Sequence, residues 1–256
     1  MEKVQSADGT MIAVDRTGSG PALVLVVGAF CDRTSTRSLA GGLSDRFTVF
    51  EYDRRGRGDS SDTAPYSVDR EVEDLAAVIA AAGGSAFVFG HSSGAALALE
   101  AASGGANLRA LAVYEPPYTE APSAELEQQL SSLIDSGQPS EAAQCFLSVT
   151  GMPAEAIAGM TKTPYWPRMC ALAPTLVYDL RLCNGGFAPV DRLPMITVPT
   201  LALAGGASPS WARVAAQAVV SAVPGAEQRV LDGQEHRVND EVLIPELIRF
   251  FADPRE

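Results

Sequence analysis

A serine set between two glycines is the first feature of this sequence that points to chemistry. Residues 86–97 read AFVFGHSSGAAL, so the run Gly90–Gly94 follows residues that suit a strand and precedes residues that suit a helix. A sharp strand-to-helix turn of this kind, called a nucleophile elbow, exposes a serine hydroxyl at the helix N-terminus, where the helix dipole favours negative charge. A Cβ at either glycine would collide with neighbouring backbone. The pattern predicts that Ser92 is a nucleophile; the alternative is a serine that only caps the helix.

A serine nucleophile needs a general base, which is usually a histidine. The chain contains only two, His91 and His236. His91 directly precedes the serine, and the tight turn directs it elsewhere. By elimination, His236 is predicted to be the base. It lies in the stretch LDGQEHRV after the last expected strand, and in a doubly wound sheet that loop reaches the same carboxyl edge as the serine. A solvated surface histidine is the alternative.

Composition and charge argue against several other classes of protein. The chain has 256 residues, of which 46% are hydrophobic, and a net charge of −12. This length suits one α/β domain with a small insertion. The acidic balance disfavours nucleic-acid binding and adhesion to anionic membranes. We therefore expect a small-molecule substrate, with no nucleic-acid or membrane partner; a homodimer is left open.

The cysteines and the apolar runs argue against disulfide-rich, zinc-binding, secreted and membrane-spanning classes of protein. Cys31, Cys145, Cys170 and Cys183 are widely spaced, so neither a disulfide framework nor a structural zinc site is expected. No motif suggests another metal or a cofactor, and none is expected. The first residues lack the apolar core of a signal peptide, and no apolar run approaches the roughly 20 residues that cross a bilayer. The expected location is the cytoplasm.

The elements that must position these residues alternate between strands and helices. Apolar runs without polar alternation, typical of strands buried on both faces, are ALVLVVG, FTVFEYD, SAFVFG, ALAVYE and TLALAGG. An N-terminal hairpin and an edge strand over Glu227–Gly233 bring the total to about eight. Helical patterns between the runs predict a doubly wound, mostly parallel α/β sheet. Residues 118–190 show only helical patterns. They predict a helical cap inserted after the sixth strand, with 1–117 and 191–256 as the core.

Four motifs together resemble those of the α/β-hydrolases. VVGAF, YDRRGRGDS, GHSSG and LDGQEH occur in the order seen in that family, and the resemblance spans nearly the whole chain. It implies the α/β-hydrolase fold and an oxyanion hole made by the backbone N–H groups of Ala29 and Ser93. The family often has His-Gly where this chain has Val27-Gly28, but the loss of that histidine removes no backbone donor.

The acid of the expected triad is missing from its usual place. Family members commonly carry Asp after the strand that corresponds to TLALAGG, whereas this loop reads ASPSW, with Ser208 near the expected position. Glu115 ends the strand that follows the elbow helix, where haloalkane dehalogenases and zearalenone lactonases place their acid. We therefore expect Glu115 to be the acid rather than Asp232, which lies very close to His236 in sequence. A surface carboxylate is the alternative.

The expected activity is hydrolysis of a carboxylic ester or lactone through an acyl-enzyme on Ser92. Aromatic and apolar side chains in the cap and nearby loops favour a bulky apolar or aromatic substrate. The expected substrate-binding residues are Phe30, Tyr118, Trp166, Met169 and Trp211. Packing of the cap on the core is the other explanation for these side chains. A slow ligand-binding or sensor protein, a C–C bond hydrolase and an acyltransferase remain open, since all could carry the same triad.

Overall fold

Eight strands form one sheet in the computed structural model, which describes residues 1–119 and 123–252. The strands are β1 (Glu2–Gln5), β2 (Met11–Thr17), β3 (Ala22–Val26), β4 (Thr48–Tyr52), β5 (Ala86–His91), β6 (Leu108–Tyr114), β7 (Thr200–Gly205) and β8 (Glu227–Leu231). Their order across the sheet is β1-β2-β4-β3-β5-β6-β7-β8. β1 and β2 pair antiparallel with each other and β2 with β4, and the other pairs are parallel. The predicted fold class is confirmed.

Helices cover both faces of the sheet, which explains the uninterrupted apolar runs. The helices that pack against it are α1 (Arg37–Leu43), α2 (Val68–Ala81), α3 (Ser93–Ser103), α9 (Ser210–Ala222) and α10 (Asp240–Ala252). Along β5, Val88 packs with α2, α3 and α9, whereas Phe87 and Phe89 pack with α1 and α10. This alternation follows the two-residue repeat of a strand. Among the described residues, no helix has the length and apolar character to cross a membrane.

Between β6 and β7, where the sequence predicts the cap, the described part of the chain forms five α-helices. They are α4 (Ala124–Asp135), α5 (Pro139–Val149), α6 (Ala154–Met160), α7 (Trp166–Leu172) and α8 (Leu176–Leu182), and we call them the helical cap. No strand occurs between β6 and β7 within the described residues. The boundaries at 118 and 190, as limits of a domain, stay a prediction.

The cap has its own apolar cluster and joins the core through specific polar and aromatic contacts. The rings of Tyr66 and Tyr178 stack with centroids 3.8 Å apart, and the Tyr178 hydroxyl donates to Asp62 at 2.8 Å. Arg168 of α7 forms an ion pair with Asp32 in the loop after β3. The cap is therefore seated over the carboxyl edge of the sheet, where the loops after β3 and β4 emerge.

Candidate active site

Ser92 lies in the sharp turn between β5 and α3. Its backbone has φ 56° and ψ −127°, a region that non-glycine residues rarely adopt. A Cβ on Gly94 would collide with the Val26 carbonyl and come within 2.6 Å of the Val27 carbonyl, so only glycine lets α3 approach β3 this closely. Ser92 occupies the N-cap position of α3, but its hydroxyl makes no capping hydrogen bond. The hydroxyl is therefore available for another partner.

His236 joins Ser92 to Glu115. Its Nδ1 lies 2.6 Å from Glu115 Oε2, and its Nε2 lies 3.1 Å from Ser92 Oγ. An ionised carboxylate can only accept, so Nδ1 carries the proton in the neutral ring and Nε2 is free to accept from the serine hydroxyl. The structure thus brings together the three residues that the sequence singled out.

Glu115 reaches His236 because of an unusual backbone turn at the end of β6. The residue has φ 48° and is fully buried. Its Oε1 accepts a hydrogen bond from the Gly205 N–H at 2.7 Å. Burial alone would raise the pKa of this carboxyl, but hydrogen bonds from His236 and Gly205 and the nearby Ser208 hydroxyl lower it below its ordinary value. The Ser208 hydroxyl itself does not reach hydrogen-bonding geometry.

Two ring residues at the ends of β5 and β6 hold the His236 loop. The His91 Nε2–H donates to the carbonyl of His236 at 2.9 Å, and the Tyr114 hydroxyl donates to the carbonyl of Glu235 at 2.6 Å. Burial and the neighbouring His236 lower the pKa of His91 to about 4. His91 is therefore a neutral support of the loop, a role that its sequence neighbours did not reveal.

The backbone N–H groups of Ala29 and Ser93 are both free of protein acceptors within the described residues. Ser93 is the first residue of α3, whose N–H groups have no intrahelical partners and carry the positive end of the helix dipole. Ala29 follows β3 in the loop next to the elbow. A Cβ on Gly28 would come within 2.8 Å of the Ser92 Cβ, which shows how closely this loop passes the serine.

A buried ionic network lies directly behind these N–H groups. Arg54 and Arg57 are at most 1% exposed and both donate to Asp179 of α8, at 2.8 and 2.7 Å. Arg54 also pairs with Glu71 at 2.5 Å, and the Ser93 hydroxyl donates to Asp179 at 2.6 Å. In the sequence, Arg54 and Arg57 stand out only as part of the motif YDRRGRGDS, which assigns them no role. The three arginines of the run RRGR beside a strand end were the available signal.

Three of the expected substrate-binding residues, one in the loop after β3 and two in the helical cap, lie in packing positions. Phe30, Trp166 and Met169 are each less than 9% exposed and belong to the apolar cluster of the cap. The Trp166 indole donates to Ser140 at 3.3 Å, so its polar edge is satisfied within the cap. Ala29 packs against the same cluster.

The other two expected binding residues differ in their surroundings. Tyr118 is 1% exposed and packs in the core cluster with Leu182 and Leu193. A ring enclosed in this way offers no surface to a substrate, so the structure does not support its expected role. The Trp211 ring lies 5.8 Å from the ring of His236 and remains a candidate wall of the site.

A cavity of about 900 Å³ flanks the site on the side of α1 and α10. Its lining includes Phe30 and His91, the chain neighbours of Ala29 and Ser92, but neither the serine nor its hydrogen-bonding partners. Arg237 also lines it, and this exposed guanidinium has no acidic partner among the described residues. The described residues contain no group of three or more His, Cys, Asp or Glu side chains arranged to hold a metal ion.

The depressed pKa of His91 predicts a pH dependence of stability. The unfolded chain binds a proton at the ordinary value of 6.5 and the folded chain only near 4, so stability contributed by neutral His91 is lost as pH falls through this interval. Between pH 7 and 5, we expect the free energy of unfolding of the wild type to fall by about 1–2 kcal/mol more than that of His91→Gln. Urea denaturation of both proteins measures this difference; equal falls would contradict it.

Comparisons with known proteins agree with this fold. Residues 23–242 match a model of the alpha/beta hydrolase family. A 2-(acetamidomethylene)succinate hydrolase from Mesorhizobium japonicum is 27% identical over 240 residues, covering 89% of this chain and 85% of its own. The crystal structure of an alpha/beta hydrolase from Sphaerobacter thermophilus is 45% identical, covers 98% of this chain and 100% of its own, and has a TM-score of 0.92. An esterase from Rhodococcus sp. shares the fold at 18% identity and a TM-score of 0.76, covering 99% and 98%. This chain belongs to the alpha/beta hydrolase family.

Proposed function

We propose that this protein hydrolyses a carboxylic ester or lactone of a small molecule through an acyl-enzyme on Ser92. The observation that carries the proposal is the hydrogen-bonded chain from Ser92 through His236 to the buried Glu115. A serine, an imidazole of fixed tautomer and a carboxylate in this order form the arrangement of a nucleophile, a base and an orienting acid. Two unpaired N–H groups beside the serine complete the requirements for acyl transfer.

In the proposed mechanism, Ser92 Oγ attacks the substrate carbonyl while His236 Nε2 takes the hydroxyl proton. Glu115 accepts the hydrogen bond from Nδ1 throughout and stabilises the imidazolium that forms. The N–H groups of Ala29 and Ser93 donate to the oxyanion of the tetrahedral intermediate. His236 then protonates the leaving alcohol, and water, activated by the same imidazole, releases the acid from Ser92.

For the substrate we propose a bulky apolar or aromatic small molecule. Phe30 packs edge-on against Phe146 of the cap, with ring centroids 5.6 Å apart, so apolar surface adjoins the Ala29 N–H. Trp211 adds an aromatic face beside His236. Apolar walls with few polar anchors are typical of sites for such ligands.

A second candidate is an acidic substrate, and the position of Arg237 favours it. This residue directly follows His236, has no acidic partner among the described residues and lines the flanking cavity. A guanidinium suits a carboxylate because its N–H groups match the two oxygens. The relative from Mesorhizobium japonicum is named for a substituted succinate, which carries carboxylates.

The first test of the proposed function is turnover of a small ester panel by the wild type and by Ser92→Ala. We expect hydrolysis by the wild type and a fall in kcat of at least about 10³-fold in the variant, because the triad acts as a unit. Acid release from p-nitrophenyl butyrate, a phenyl ester and an aromatic macrolactone gives the rates. Tight binding without turnover by the wild type would instead identify a ligand-binding protein, and full activity of Ser92→Ala would reject the serine mechanism.

The assignment of the acid is tested by three matched variants. Glu115→Gln keeps the side-chain shape but removes the charge that supports the imidazolium, so we expect kcat to fall by roughly 10²–10⁴-fold. Ser208→Ala and Asp232→Asn are expected to cost far less, since the Ser208 hydroxyl makes no hydrogen bond and Asp232 is exposed. Steady-state kinetics of the three variants give the kcat values that identify the acid. A crippled Asp232→Asn beside a mildly affected Glu115→Gln would show that the acid is misassigned.

The two substrate candidates are separated by Arg237→Gln. If an acidic substrate is bound through this guanidinium, the variant should lose about tenfold or more in kcat/KM for a succinate half ester, the cost of one charge-assisted contact. Rates on the neutral phenyl ester should stay unchanged. Arg46→Gln, which removes an exposed arginine at the opposite edge of the sheet, is the control. Equal rates of both variants on all esters would reject the acidic substrate and leave the apolar candidate.

A further inference from the structure

The peptide between Gly28 and Ala29 is held by a charged side chain. Arg57 Nη1 donates to the Gly28 carbonyl at 2.6 Å and to the Cys31 carbonyl at 3.2 Å. The C=O and N–H of a trans peptide point in opposite directions, so a guanidinium fixed on the Gly28 carbonyl also fixes the direction of the Ala29 N–H. A cation on the carbonyl polarises the peptide and makes that N–H a stronger donor.

Asp179 fixes Arg57 in this position. Both of its carboxylate oxygens accept from Arg57 Nη2, at 2.7 and 2.8 Å. Arg54 donates to the same carboxylate and also to the Val27 carbonyl at 3.2 Å. Burial opposes ionisation of Asp179, but the charges of Arg57 and Arg54 outweigh it and hold the pKa of this carboxyl below its ordinary value. A charged anchor is thus kept inside the protein.

The same carboxylate reaches the other side of the site. The Ser93 hydroxyl donates to Asp179 Oδ1 at 2.6 Å, and the backbone N–H of Ser93 is the second free donor beside Ser92. One side chain therefore touches the residue that carries one donor and, through Arg57, orients the peptide that carries the other. Asp179 belongs to α8, so the helical cap supplies this link.

We propose that Asp179 is a positioning residue of the oxyanion site, through which the seating of the cap aligns the N–H groups of Ala29 and Ser93. The inference rests on the proposed function, because it assigns Asp179 to the reaction of that site. Through the two N–H groups, Asp179 affects stabilisation of the negative charge that develops in the transition state, and not binding of the substrate. Its loss should therefore lower kcat and leave KM nearly unchanged.

The chain offers a matched control for the loss of a buried ion pair. Arg55, next to Arg54 in sequence, donates to Asp74 through Nε at 2.6 Å and through Nη2 at 2.8 Å, and both side chains are fully buried. This pair has the same chemistry as Arg57 with Asp179, but it makes no contact with the loop after β3 or with Ser93. Asp74→Asn should therefore lower thermal stability, because it removes the carboxylate that two nitrogens of Arg55 contact. Arg55 keeps an ion pair with Asp8 at 3.1 Å, so the loss should be smaller than in Asp179→Asn, which leaves Arg57 without an acidic partner among the described residues.

The experiment compares Asp179→Asn, Asp74→Asn and the wild type in kinetics, thermal unfolding and binding of phenylboronic acid, which forms a tetrahedral adduct with a reactive serine. We expect kcat of Asp179→Asn to fall about 10- to 100-fold, as for loss of an orienting partner, with a matching loss of boronic acid affinity and little change in KM. Asp74→Asn should keep kcat within about twofold. An equal loss of kcat in both variants, or wild-type kcat in Asp179→Asn, would overturn the proposal.

Ser93→Ala keeps the experiment decisive if Asp179→Asn does not fold. This change leaves the buried ion pairs in place and removes the hydroxyl that donates to Asp179 at 2.6 Å and accepts from Arg54 at 3.2 Å. A several-fold fall in kcat in a protein that remains folded at the assay temperature supports the proposal, and unchanged kcat overturns it. An inactive wild type would contradict the proposed function itself, whereas an active wild type with these contrary results contradicts only the role of Asp179.

Discussion

The burial of two arginine charges beneath the cap is the constraint on which the site depends. Arg54 and Arg57 have almost no access to water, and removing a partner from a buried ion pair costs about 3–5 kcal/mol. They must therefore meet anions and carbonyls in one geometry. The partners are Glu71 from α2, Asp179 from the cap and the carbonyls of the loop after β3. Satisfying these charges brings α2, the cap and that loop together around the elbow.

The strained backbone of the site is held in place by these surrounding interactions. Phe30, Ser92 and Glu115 all have positive φ without being glycine, and each such residue costs on the order of 1–3 kcal/mol. They follow the ends of β3, β5 and β6, three strands that are adjacent in the sheet. Hydrogen bonds from His91 and Tyr114 hold the loop that carries His236 from behind. The strained residues thus lie at the carboxyl edge of the sheet, at the positions that bring the reactive groups together.

Local patterns in the sequence predicted the elements, Ser92 and His236, and the resemblance to the α/β-hydrolases implied Glu115, but neither revealed the network that surrounds these three side chains. Strand–Gly-x-Ser-x-Gly–helix is a local signal, and the scarcity of histidine singled out His236. Asp179 lies 122 residues from Arg57 and 125 from Arg54, and a charge pair at such a separation has no periodicity to reveal it. The expected substrate-binding roles of aromatic residues depend on packing, which the sequence does not show either. Tyr118 and Trp166 are typical of both pockets and cores, and only the packing shows that both are buried.

The central claim is that Ser92 forms an acyl-enzyme. The most direct measurement is the mass of the protein quenched with acid during the first turnover of p-nitrophenyl butyrate, followed by fragmentation of the tryptic peptide that contains the elbow. The account predicts a butyryl adduct on Ser92 that appears with the first release of p-nitrophenol and decays with further turnover. Turnover without any adduct, or an adduct confined to another residue, would contradict it.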